Sequence, residues 1–312
     1  MSNIQTILLN IFWLISGFFL LMKGADWFVD GAAGFARRLG IPQLVIGLTI
    51  VAMGTSAPEA AVSITAALRH NAGISIGNVV GSNILNILII LGITCIIATL
   101  KIQISTLHYE IPYMVAITIL LLLFGYTSSI VNRIEGAILW FFFLLYLVYL
   151  YLLSRNGKEE PVLEEKHVPQ LLLYTIAGIV FIILGSNVTV NGATAFAKMF
   201  GLSDRFIGLT IVAFGTSLPE LVTSVTAAKK GNSDIAVGNI VGSNIFNILF
   251  VIGTTALICP VPFESNFIVD SVIAIFAGIL LFLCTVRSRQ LKRPCGILML
   301  LCYFGYLVYL LH

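Results

Sequence analysis

Residues 47–59 read GLTIVAMGTSAPE and return at 208–220 as GLTIVAFGTSLPE, with eleven of thirteen positions identical. Each copy ends by setting a carboxylate in apolar sequence, beside a proline and after Gly-Thr-Ser. A helix that only faced a core or lipid would have no use for that acid, so the stretch predicts a polar environment that receives it.

The duplication extends outward from this stretch. Residues 47–92 align without a gap on 208–253 at an offset of 161, with 28 of 46 positions identical, and the same offset carries Gly24 and Gly31 onto Gly185 and Gly192. Such self-similarity marks an internal repeat rather than a bias of composition.

Composition sets the environment. Apolar residues make up 59% of the 312 and charged ones 10%, with a mean hydropathy of +1.04, more apolar sequence than a soluble core can hide. The chain is predicted to be an all-α integral membrane protein. No basic tract points to nucleic acid. Cys95, Cys259, Cys284, Cys295 and Cys302 form no C-x-x-C pair and read as small apolar residues. His70, His108, His167 and His312 fall in predicted loops or at the terminus and receive no chemistry.

Apolar segments are predicted at 7–38, 43–67, 74–99, 112–126 and 135–153, then at 171–200, 205–228, 235–257, 267–286 and 296–311. The first has no basic residue before it and no cleavage site after it, which argues against a removed signal peptide. It also exceeds the ~20 residues of a perpendicular span, so a long tilted helix is expected. The polar run between the two groups holds Glu159, Glu160, Glu164 and Glu165, but lacks the alternating ligands and glycine turn of a calcium loop. It reads as a solvated linker, dividing the chain into a five-helix repeat at 1–153, a linker at 154–169 and a second repeat at 170–312.

An odd number of spans per copy brings the second copy in from the opposite side, giving ten helices in two inverted repeats. Loop charges agree with that parity: twelve Lys and Arg, among them Arg37, Arg38, Lys229, Lys230 and Arg293, fall on one side and only Arg69, Arg133, Lys198 and Arg205 on the other. The richer side is then cytoplasmic, which places the linker inside the cell and both termini outside, in a multi-pass cell membrane protein.

The chemistry follows from spacing. On a helix Ala52, Thr55, Ser56 and Glu59 stand at i, i+3, i+4 and i+7 and form one stripe, as do Ala213, Thr216, Ser217 and Glu220. Pro58 and Pro219 lack an amide proton and crowd the carbonyls of Gly54 and Gly215, so a helix break with released carbonyls is expected at each. In a membrane such a break survives only against protein or a water-filled cavity. Hydroxyl, carboxylate and carbonyl are the ligands of hard cations, and no thiolate or imidazole lies near. Spans three and eight add Ser82 with Asn86 and Ser243 with Asn247, each pair on one face. Gly77 with Gly81 and Gly238 with Gly242 read as small-x-x-x-small packing pairs, and Asn78 and Asn239 as interhelical bridges or supports.

GTSAPE and GTSLPE, each followed by G-N-x-V-G-S-N-I-x-N, resemble the two alpha-repeats of the sodium/calcium exchanger family within the cation/calcium antiporter superfamily. The resemblance covers essentially the whole chain. It implies a secondary transporter, not an enzyme, that moves Na+ and Ca2+ without a cofactor or an obligatory protein partner. By matching position it implies ion ligands at Ala52 through its carbonyl, Thr55, Ser56, Glu59, Ser82 and Asn86, and at Ala213, Thr216, Ser217, Glu220, Ser243 and Asn247. It also implies that the first and sixth spans slide past the rest. Some prokaryotic relatives carry aspartate where this chain has Asn247, so the site here keeps two carboxylates. That weighs against potassium cotransport, and the short linker leaves no room for a regulatory domain.

Two ionised glutamates offset one Ca2+ and leave one positive charge with three Na+, so the resemblance implies electrogenic exchange. A calcium/proton antiporter, a cation channel and a non-transporting receptor are the competing readings. The first carries a different acidic signature, the second suits paired broken helices less well, and the third leaves the duplicated stripes unexplained.

Overall fold

The computed structural model describes residues 3–69, 72–156, 167–199 and 213–311. Within them the chain forms α1 (Asn3–Leu39), α2 (Gln43–Thr55), α3 (Ala57–Leu68), α4 (Ser75–Ile97), α5 (Thr106–Ser128) and α6 (Arg133–Asn156). The second half forms α7 (Val168–Met199), α8 (Ala213–Thr216), α9 (Leu218–Lys229), α10 (Ser233–Ile258), α11 (Asn266–Val286) and α12 (Arg293–Leu311). Among the described residues eight helices are long and apolar enough to cross a membrane, and α2 with α3 makes a ninth. The expected seventh span is described only from Ala213 on; residues 200–212 and linker residues 157–166 lie outside the described residues.

Burial orders the spans. In α10, 94% of the apolar stretch is buried inside the protein and in α4 72%, against 28% in α6 and 17% in α12. The third and eighth spans therefore form the centre, and the outer helices turn side chains such as Phe141, Leu144 and Phe304 outward, as a lipid-facing surface requires.

α1 and α7 run antiparallel along one flank. At 37 residues, α1 spans about 55 Å at 1.5 Å per residue, so it must tilt in a hydrocarbon layer about 30 Å thick. Glycines seven residues apart hold the pair together, Gly17, Gly24 and Gly31 on α1 and Gly178, Gly185 and Gly192 on α7. A methyl at Gly24 would lie 2.8 Å from the Gly178 carbonyl oxygen, and one at Gly185 would lie 2.8 Å from that of Gly17. Backbone thus meets backbone, the close approach that small residues permit between membrane helices.

Two short antiparallel ladders report the inverted symmetry. β1 (Leu100–Lys101) pairs with β4 (Gln290–Leu291), and β2 (Ile130–Val131) pairs with β3 (Val261–Pro262). β1 and β3 are equivalent in the two repeats, as are β2 and β4, so one ladder is the other turned over. Each joins the turn before the fourth span of one repeat to the turn after the fourth span of the other. Those turns sit at opposite ends of that span, so they meet only if one repeat is upside down relative to its copy. The backbone agrees in detail, since Ser129 and Arg289, at the equivalent turns, both adopt left-handed backbone with φ of 56° and 51°.

Two boundaries depart from expectation. His108 lies in the π-helical first turn of α5, not in a loop, with Nδ1 3.0 Å from the Ile104 carbonyl. α6 runs to Asn156 and α7 begins at Val168, so helix takes residues from both ends of the expected linker.

Candidate cation site

The break falls where the prolines require it. α2 ends at Thr55, Ser56 leaves the helical region (φ −83°, ψ 7°), and α3 sets off at 50° with Pro58 in its first turn. Ser217, with φ −92° and ψ 6°, does the same between α8 and α9. The predicted stripe is therefore cut in two: Ala52 and Thr55 end one arm, while Glu59 sits in the first turn of the next, where a helix N-terminus favours an anion.

The carbonyl that the proline releases is Gly54's in the first repeat and Gly215's in the second. Ser186 of α7 donates to the Gly215 carbonyl at 2.8 Å. The Ala52 carbonyl keeps its helical partner, accepting from the Ser56 amide at 3.0 Å, and also accepts from the Ser243 hydroxyl at 3.3 Å.

Side chains then cross between repeats in reciprocal pairs. Ser56 donates to Glu220 Oε1 at 2.8 Å, and Ser217 donates to Glu59 Oε1 at 3.3 Å. Asn78 donates to the Glu59 carbonyl and to Ser63, and Asn239 donates to the Glu220 carbonyl and to Ser224. Thr55 sets its hydroxyl 2.9 Å from Asn239 Oδ1. Asn78 and Asn239 thus fasten each half-helix to the central span behind it.

Asn83 and Asn244, which the spacing argument passed over, close the centre. Each donates to the other's backbone carbonyl, at 3.1 and 3.2 Å. Asn86 donates to Asn244 Oδ1 and Asn247 to Asn83 Oδ1, at 2.9 and 3.2 Å. The signal was present in the repeated GSN-I-x-N, whose first asparagine is as invariant between copies as the second. A π-helical turn begins at Asn86 and another at Asn247, a distortion that often accompanies functional positions.

The balance of donors and acceptors gives the site its chemistry. Thr55, Ser56, Glu59, Asn86, Ser217, Glu220, Ser243 and Asn247 are all at most 1% exposed, and Ser82 is 6% exposed. The donors of Thr55, Ser56, Asn86, Ser217, Ser243 and Asn247 are spent on neighbours, while Glu59 Oε2, Glu220 Oε2, Asn86 Oδ1 and Asn247 Oδ1 are buried without a partner among the described residues. Four orphaned acceptors, two of them carboxylate, are costly unless something positive meets them. Oxygen donors of this kind suit hard cations.

Of the glycines expected to pack, Gly238 and Gly242 do so tightly, lying against Gly47 and against Leu48 and Ala52. Gly77 rests on Phe267, and Gly81 has nothing within 4 Å of where a Cβ would stand. Ala213 and Thr216 belong to α8, of which the preceding residues are outside the described ones.

Similarity to known proteins gives the family. The family model described as "Sodium/calcium exchanger protein" matches residues 9–154 and 170–312. The sodium/calcium exchanger MaX1 of Methanosarcina acetivorans is 32% identical over 350 residues, covering 98% of this chain and 99% of that protein. The inner membrane protein YrbG of Escherichia coli is 35% identical over 302 residues, covering 92% of each. A solved structure of the sodium-calcium exchanger NCX_Mj superposes with a TM-score of 0.85 at 32% identity, over 97% of this chain and 99% of that one. The chain belongs to the sodium/calcium exchanger family of membrane transporters.

Proposed function

We propose that the chain exchanges Na+ for Ca2+ at a single site shared by the two repeats, residues 1–153 and 170–312. Glu59, Glu220, Asn86 and Asn247 are its principal ligands, with Ala52, Thr55, Ser56 and Ser82 and their counterparts Ala213, Thr216, Ser217 and Ser243 around them. The observation that carries this is the set of four orphaned acceptor oxygens, two from each repeat, on side chains whose other polar atoms are bonded within the protein. The choice of ions rests on the family and on the names borne by MaX1 and NCX_Mj.

Charge then sets the driving force. Two carboxylates neutralise one Ca2+, and with three Na+ they leave one positive charge, so each cycle moves one net charge. A potential of 100 mV acts on that charge with about 2.3 kcal/mol. The empty site holds two buried carboxylates without a counter-ion, which is costly to occlude and discourages uncoupled crossing. Alternating access would come from α1 and α7, packed on each other through the glycine seam and the Trp27–Tyr174 stack, sliding together past the other helices.

The bias of Lys and Arg toward one set of loops supports a cytoplasmic linker and both termini outside a cell membrane. Ca2+ uptake into proteoliposomes along an opposing Na+ gradient, with the potential clamped, tests the proposal. Uptake should require Na+ inside the vesicles and, because three Na+ leave for each Ca2+ that enters, should accelerate when the vesicle interior is made positive. Flux indifferent to the clamp would overturn the electrogenic form, and flux driven by a proton gradient without Na+ would favour calcium/proton antiport.

A further inference from the structure

Glu110 closes the π-helical first turn of α5, inside a membrane span, yet stands apart from the reciprocal network around Glu59 and Glu220. It is 1% exposed. Tyr149 of α6 donates to Glu110 Oε1, while Glu110 Oε2 and the buried Tyr146 hydroxyl have no partner among the described residues. Both residues line a cavity of about 520 Å³ walled also by Tyr109, Tyr113 and Phe142. The rings of Tyr113 and Tyr146 stack at 5.8 Å. Tyrosines gather at membrane edges in general, but a belt keeps their hydroxyls in water, and Tyr146 is only 3% exposed.

A second cavity of about 310 Å³ shares Pro112 and Ala116 with the first. Its remaining wall is apolar: Ile111, Val115 and Ile119 of α5, with Ile279 and Phe282 of α11. An acidic, aromatic chamber therefore adjoins a wholly apolar groove, with Pro112 and Ala116 common to both walls. Glu110 is the fifth residue of the Thr106–Ser128 span, about 6 Å along it at 1.5 Å per residue, near the depth at which headgroups give way to chains.

The cage is confined to one repeat. At the equivalent place in the second, Asp270 accepts from Tyr306 at 2.9 Å, but Ile268, Val269 and Ile273 stand where the first repeat has His108, Tyr109 and Tyr113. The acid and a tyrosine that donates to it have a two-fold copy, but the walls formed by Tyr109 and Tyr113 do not. Walls without a copy have no place in an ion path built by symmetry.

We propose that this chamber and groove bind a lipid with an N–H-bearing ammonium headgroup. The ammonium donates to Glu110 Oε2 and to the Tyr146 oxygen, the tyrosine faces stabilise its charge, and an acyl chain lies in the groove between α5 and α11. A bare metal ion fits poorly, because one carboxylate and phenols fall short of the six to eight oxygens that Ca2+ takes.

Native mass spectrometry of the full chain, purified with equal amounts of phosphatidylethanolamine, phosphatidylcholine and phosphatidylglycerol, tests this. Phosphatidylethanolamine should be retained about tenfold over the others, a difference of roughly 1.4 kcal/mol. Glu110→Gln should abolish the preference, and Asp270→Asn should leave it intact. Tyr113→Leu, which keeps the carboxyl and so serves if Glu110→Gln fails to fold, should weaken it. Equal retention of the three lipids by the wild type, or an unchanged preference in Glu110→Gln or in Tyr113→Leu, would overturn the proposal.

Discussion

The two repeats are nearly interchangeable at the centre and unlike at the edge. Around the site the principal cross-repeat bonds are mirrored: Ser56 to Glu220 and Ser217 to Glu59, Asn86 to Asn244 and Asn247 to Asn83. Away from it the copies diverge. Ser186 caps the Gly215 carbonyl, but Ala25, its equivalent, has no hydroxyl to offer Gly54. Lys230 binds Asp26 and Asp30 at 3.2 and 2.9 Å, whereas the residues equivalent to those acids are Asn187 and Asn191. Symmetry is kept around the proposed shared site, and relaxed where one copy holds a helix on its own.

The largest effect should come from the central pair. Glu59→Gln and Glu220→Gln each remove one of two charges and should each lower Na+-driven Ca2+ flux by about a hundredfold or more, as loss of a charged group's interaction worth about 3 kcal/mol implies. Equal loss in the two variants supports a shared site. A large loss in one and wild-type flux in the other would break the symmetry claim.

Next comes the asparagine cross-link. Asn83→Ala or Asn244→Ala leaves buried amide groups of the opposite repeat without partners, each at about 1–3 kcal/mol. Thermal unfolding in detergent should show a similar drop for both, and a drop in only one would mean that the centre is less symmetric than its bonds.

This cross-link also marks how far the sequence could be read. The spans, the inversion and the carboxylates were legible because hydropathy, span parity and an offset of 161 are linear properties of the chain. Asn83 and Asn244 were not singled out, because their role is to bond across the two-fold axis, and spacing along one helix carries no information about the other. The stripe through Ala52 and Glu59 was drawn on an unbroken helix. The 50° bend at Ser56 divides it. Glu110 escaped for a related reason: its tyrosine partners lie 36 to 39 residues further on, in another span.

The edge contributes smaller effects. Ser186→Ala should destabilise by about 0.5–1.5 kcal/mol, the net worth of one hydrogen bond, seen as a lower melting temperature. Ala25→Ser, its mirror, tests whether Gly54 can accept the same cap. Smallest of all, Lys230→Ala removes a half-exposed ion pair worth about 0–1 kcal/mol. Its effect on stability should shrink further in high salt, and a loss that persisted there would assign the lysine a role beyond charge pairing.

The most direct measurement is equilibrium binding of Ca2+ to the purified chain by titration calorimetry, with Na+ as competitor. The shared site predicts one Ca2+ per chain, displaced by Na+, and lost equally in Glu59→Gln and Glu220→Gln. Undiminished Ca2+ binding in either variant would contradict it.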